Sequence, residues 1–112
     1  MRSPLYYVLD GHTPVPESDM ETFAIWHGTA DRRVALTVLA PGVEVSTVFL
    51  GIDHQFGDGP PLLFETMLFS DYDEKEWRYS TWDEAVAGHE RVVAELKARI
   101  MGASGDRTEG SV

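Results

Sequence analysis

The sequence predicts an α+β domain: an antiparallel sheet of three to five strands carrying one short and one long helix. Three observations carry that prediction. Between Arg32 and Phe69 lie three β-rich runs, RRVALTVLA, VEVSTVFLGI and LLFETMLF, too close together for crossover helices. The corners between the runs have turn chemistry, tight at Pro41-Gly42 and wide from Gly51 to Pro61. On either side of this meander, apolar residues at helical spacing follow the cap signatures Ser18–Glu21 and Thr81–Glu84.

In chain order, Leu5 to Leu9 is a short strand and Asp10-Gly11 a tight-turn pair. The returning strand is brief, because Pro14 and Pro16 cannot donate to a ladder. Ser18 and Glu21 form a capping box for the first helix, whose Met20, Phe23, Ala24 and His27 share one face; Gly28 is placed to end it. In the next run Val34, Leu36 and Val38 alternate with Ala35, Thr37 and Leu39. Pro41-Gly42 suits a type II turn.

Val48 to Leu50 and Leu62 to Phe69 are apolar on both faces, apart from Glu65 and Thr66. With only two helices to cover them, a partner subunit would bury the surplus, so a homodimer is one expectation. Trp77 to Tyr79 reads as a short edge strand. Thr81 to Glu84 caps the long helix, whose stripe runs from Trp82 through Ala85, His89, Val92 and Leu96 towards Met101. Gly88 inside it costs up to about 1 kcal/mol against Ala, which points to close packing there. Gly102 ends the helix. The domain therefore spans residues 1–101, and 102–112 reads as a disordered C-terminal tail.

Composition narrows the function. The chain of 112 residues carries a net charge of −10. Between Glu65 and Glu84, seven acidic side chains face only Lys75 and Arg78. Nucleic-acid affinity needs phosphate neutralisation, so direct nucleic-acid binding is not expected. The chain has no cysteine, which removes disulfides, thiolate metal sites and a Cys nucleophile. No apolar run approaches the roughly 18 residues of a membrane span, and Met1-Arg2-Ser3-Pro4 lacks the apolar core of a signal peptide. A cytoplasmic location is expected.

No phosphate loop, dinucleotide fingerprint, HExxH pair or Ser elbow is present. His54 is the best single candidate for a reactive or recognising group, in the glycine-rich loop after Asp53. An enzyme reading uses His54, Asp53 and Glu65, with Asp58, as base or metal ligands in a small hydrolase. The plainer reading has Asp53 and His54 bonding loop amides to hold a long hairpin open. Glu65, if it faces inward, needs Arg32, Arg33 or Arg78 as a partner. His89 reads as a hydrogen-bonded interior histidine.

The run STVFLGIDHQFGDGPPLLFETMLF, with RYSTWDEAVAGHERVV further on, resembles a family of small proteins recurring in bacteriophage and prophage genomes. The resemblance covers residues 32 to 94; the segment before Thr29 matches loosely and the tail not at all. It implies a phage-encoded accessory protein acting inside a bacterial cell, and assigns no catalytic residue. The leading expectation is a non-catalytic protein that binds a host or phage protein, its acidic face occupying a basic groove as a nucleic-acid mimic does. Its contact residues are His54, Phe56, Asp71, Asp73, Glu74, Glu76 and Trp77, with no metal and no cofactor. A metal-dependent hydrolase and a virion or assembly component are the alternatives.

Overall fold

Gly11 at φ 63° closes the first hairpin, pairing β1 (Tyr7–Asp10) with β2 (Thr13–Pro16). His12, the second loop residue, keeps a negative φ, so the turn is of the II′ kind with glycine leading. The computed structural model describes residues 5–70 and 74–110, with side chains described up to residue 102. α1 (Met20–Thr29) follows the hairpin, then β3 (Arg33–Ala40), β4 (Val43–Phe49), β5 (Phe64–Phe69), β6 (Glu74–Tyr79) and α2 (Trp82–Gly110). The α+β class holds. β3 to β6 form one antiparallel sheet in sequential order, a plain meander.

α1 begins one residue later than the Ser18 box predicts. Asp19 is the cap, its Oδ2 accepting from the Thr22 hydroxyl at 2.5 Å and the Thr22 amide at 3.3 Å. Those bonds favour its charged form and hold the carboxyl below the usual carboxylate range. Gly28 does not end the helix, which runs on to Thr29 and is capped by Ala30. Phe23 is its one buried residue, while Met20 and Ala24 point to solvent. Arg32 closes the end, donating Nε to the His27 carbonyl and Nη1 to the Phe49 carbonyl. That arginine is therefore spent on α1 and not on Glu65.

Gly42 at φ 79° makes the β3–β4 turn as expected. Register shifts at both ends of β3 alter its simple alternation. Val34 consequently packs inward with the apolar cluster around Phe49, away from Leu36 and Val38. At the start of α2 the reciprocal cap forms as read: Glu84 N–H donates to Thr81 Oγ1, and Thr81 N–H to Glu84 Oε1, both at 3.1 Å. The hairpin tip reaches this helix too, with His12 stacked on Trp82 at 3.7 Å.

α2 lies across one face of the sheet over two apolar clusters. One gathers Tyr7, Phe49, Leu63, Phe64 and Ala85; the other gathers Val45, Leu68 and Val92. The helix does not stop at Gly102, since its backbone is helical to Gly110. Gly102 has no positive φ and a side chain there would meet nothing, so nothing local breaks the helix.

Gly88 is the close approach that its position predicts: a Cβ there would overlap the Tyr79 ring and hydroxyl. Gly88→Ala should therefore lower stability by about 1–3 kcal/mol through overpacking, although helix propensity alone favours Ala. Urea titration reads the loss as a lower midpoint at constant slope.

Candidate functional site

The wide corner is folded on itself. Leu50 N–H donates to the Leu63 carbonyl at 2.7 Å, and Gly51 turns the chain at φ 79° against Phe23 and the Tyr7 carbonyl. Asp53 Oδ1 then accepts from the Gln55 amide at 2.8 Å and the Leu62 amide at 3.0 Å, tying the two limbs of the loop together. Gln55 continues the brace, its Oε1 accepting from the Gly57 amide and its Nε2 donating to the Pro60 carbonyl. Backbone bonds from Asp53 to Leu5 and from His54 to Leu62 complete the base. Asp53 is thus the loop's internal acceptor, and the plainer of its two sequence readings accounts for it.

Phe56 stands at the apex of this braced loop, 92% exposed. An aromatic ring left in water on an ordered loop is unlike a core residue and like an interface anchor. His54 is half-buried beside it in sequence, and Asp58 is exposed.

The four residues of the hydrolase reading do not gather as metal ligands. Glu65 is the second residue of β5, on the face away from α2, with its Oε2 accepting from Arg78 Nε at 3.0 Å. Arg78 is thus the partner that a buried Glu65 requires. Among the described residues no three His, Asp or Glu side chains come close enough to hold a metal ion. Asp53, His54, Asp58 and Glu65 are all described, so they do not form such a centre.

The expected contact set divides in two. Glu74 and Glu76 are exposed on β6, Glu76 Oε1 accepting from Arg78 Nη2 at 3.3 Å. Trp77 leaves the set, because alternation along β6 turns its indole inward against the Val45, Leu68 and Val92 cluster. Asp71 and Asp73 lie outside the described residues. Leu63 N–H donates to the Tyr79 carbonyl, so the loop springs from the Tyr79 end of β6. Glu74 begins the other end, five residues or about 17 Å away at strand rise. Phe56 and the acidic margin are separate features.

A polar layer lies between the two apolar clusters. His89, only 5% exposed, contacts Thr37 Oγ1 through Nε2 at 2.9 Å and Thr47 Oγ1 through Nδ1 at 2.8 Å. Thr47 in turn meets Thr66 Oγ1 at 2.6 Å. His89 is the hydrogen-bonded interior histidine the sequence predicts. Its threonine partners went unread, because β3–β4–β5 register, a non-local property, brings them to one spot.

Burial lowers the His89 pKa below 6.5, against an opposing pull from Glu90. Below pH 6.5 the unfolded chain therefore binds more protons at this residue than the folded one. Its contribution to stability is complete above that pH, falls as the solution is acidified, and levels off below the folded pKa. Melting temperature against pH should show this slope in the wild type, and His89→Gln should lack it.

No helix of the described residues is long and apolar enough to cross a membrane. No family model, curated protein or solved structure matches this chain.

Proposed function

We propose that this protein is a non-catalytic binding protein, with Phe56 as the anchor that enters a partner's apolar pocket. One observation carries the reading: a nearly fully exposed aromatic ring on a loop braced by Asp53 and Gln55. A pre-ordered anchor avoids the entropy cost of ordering a loop on contact. The residues around it supply adaptable polar contacts, His54 among them.

The acidic margin of Glu74 and Glu76, with Asp71 and Asp73 in the adjoining connector, acts at longer range. Such charge steers encounter with a basic surface more than it adds affinity. A host or phage protein with an apolar pocket near a basic groove is the partner of matching chemistry. The phage accessory role inside a bacterial cell rests on the resemblance of residues 32–94.

The test compares tagged wild-type protein with Phe56→Ala and Glu74→Lys/Glu76→Lys in pull-downs from a bacterial host at two salt concentrations. The reading requires one retained protein that Phe56→Ala loses while its melting temperature is unchanged. Charge reversal should slow association and remove its salt dependence. A partner retained equally by Phe56→Ala contradicts the reading.

A further inference from the structure

The two edges of the sheet differ sharply. β6 carries Glu74, Lys75, Glu76 and Arg78, the charged residues that keep a natural edge from pairing with another strand. β3 lacks that charge, and its register shifts lie near its two ends, leaving Ala35 to Val38 regularly paired. Among its eight residues, only Arg33 at the very start is charged, and none is proline. Among the described residues no strand pairs with its outer side. Leu36 and Val38 on its open face are 43% and 63% exposed. From Arg32 to Val43 the chain contains no acidic residue, in a protein of net charge −10.

The helix flanking this edge has a matching symmetry. A groove of about 240 Å³ lies beside β3, lined by Thr37, His89, Glu90, Val93, Ala94 and Lys97. No residue of β4, β5 or β6 lines it, so it opens past the outer side of the sheet. Glu90 and Lys97 are opposite charges two helical turns apart on this flank, with Val93 and Ala94 midway between them. Thr37, at the centre of β3, lines the groove opposite this flank, its hydroxyl on His89 Nε2.

We infer that β3 pairs antiparallel with β3 of a second copy, about a two-fold axis that passes through the groove between Thr37 and the Val93–Ala94 pair. In an isologous contact, residue i meets j of the partner and j meets i. An axis at this midpoint sets Glu90 of each copy towards Lys97 of the other, twice per dimer. For the strands to pair, this axis runs beside β3, between it and its copy, where Ala35 to Val38 form its regularly paired stretch. The sheet becomes eight-stranded and continuous, and side chains from both copies fill the groove.

The cost of desolvating charged side chains favours this edge over β6 for a second copy. Pairing through β3 leaves the two β6 strands seven strand spacings apart, about 34 Å, far beyond the Debye length of about 8 Å. A second strand at the β6 edge would instead have to desolvate Glu74, Lys75, Glu76 and Arg78.

Sedimentation of the full chain across the micromolar range tests this, with circular dichroism confirming that each variant folds. Glu90 and Lys97 are both exposed, so changing them leaves the core intact. The wild type should be a dimer. Glu90→Lys and Lys97→Glu should each weaken it about tenfold, because each sets like charges together at two symmetric places. The double swap Glu90→Lys/Lys97→Glu should return the wild-type dissociation constant. Val38→Lys, an edge lysine, should give monomer. Phe56→Ala should leave self-association unchanged, which separates this interface from the proposed partner site. A monomer throughout, a dimer indifferent to either single swap, or a double swap no better than the single ones would overturn the inference.

Discussion

Replacing Thr47 by Val should lower the free energy of unfolding by about 2–4 kcal/mol, although the two side chains have nearly the same shape. The loss does not come from a cavity. Thr47 is fully buried, and its hydroxyl is shared by His89 Nδ1 and Thr66 Oγ1. Valine leaves both of those groups buried without that partner, and each orphaned polar group costs about 1–3 kcal/mol. The same asymmetry yields a control. Thr47→Val/Thr66→Val/His89→Leu makes the buried part of the layer apolar, leaving only the partly exposed Thr37 hydroxyl without its histidine, and should recover at least half of the single-mutant loss. Urea titrations at constant slope measure both. If Thr47→Val alone is neutral, the layer does not bind the two apolar clusters as described.

Removing the Asp53 carboxylate should have an effect of similar size and a different character. Asp53→Ala takes one acceptor away from two amides, Gln55 and Leu62. Hydrogen bonds to a charged group are worth about 1.5–3 kcal/mol each, and partial exposure reduces the sum, so a total loss of about 2–4 kcal/mol is expected. Asp53→Asn keeps one acceptor oxygen and should lose less. Because the loop limbs part, capture of a partner through Phe56 should weaken in Asp53→Ala even below the melting transition. Phe56→Ala would weaken capture with no loss of stability. The contrast separates the brace from the anchor.

Local chemistry was legible in the sequence wherever the partners are sequence neighbours. The Thr81–Glu84 cap and the Pro41-Gly42 turn follow from residues within four positions of each other, whereas the first hairpin turns on Gly11-His12 and not on the expected Asp10-Gly11 pair. The Gly88 approach was readable because glycine inside a strong helix needs a reason, and the Tyr79 ring is that reason. Two adjacent caps competed at the first helix. There Asp19 prevailed over Ser18 because its carboxylate takes the Thr22 hydroxyl and amide together.

What sequence left hidden depends on register. The shifts at both ends of β3 re-aim Val34, and no residue in that run marks them. The triad of threonines around His89 is assembled from three strands and a helix. The wide loop and Glu74 are close in sequence, but β5 and β6 carry them to opposite ends of the sheet. Asp53 was legible as a loop residue, but only the folded corner shows both of its oxygen's donors.

Hydrogen exchange at the Gln55 and Leu62 amides probes the ordered corner without needing a partner in hand. Both should be protected in the wild-type chain and should exchange much faster in Asp53→Ala, while amides of β4 and β5 keep their protection. If both amides exchange at the rate of an unstructured peptide in the wild type, Phe56 rides on a loose loop and is no pre-ordered anchor.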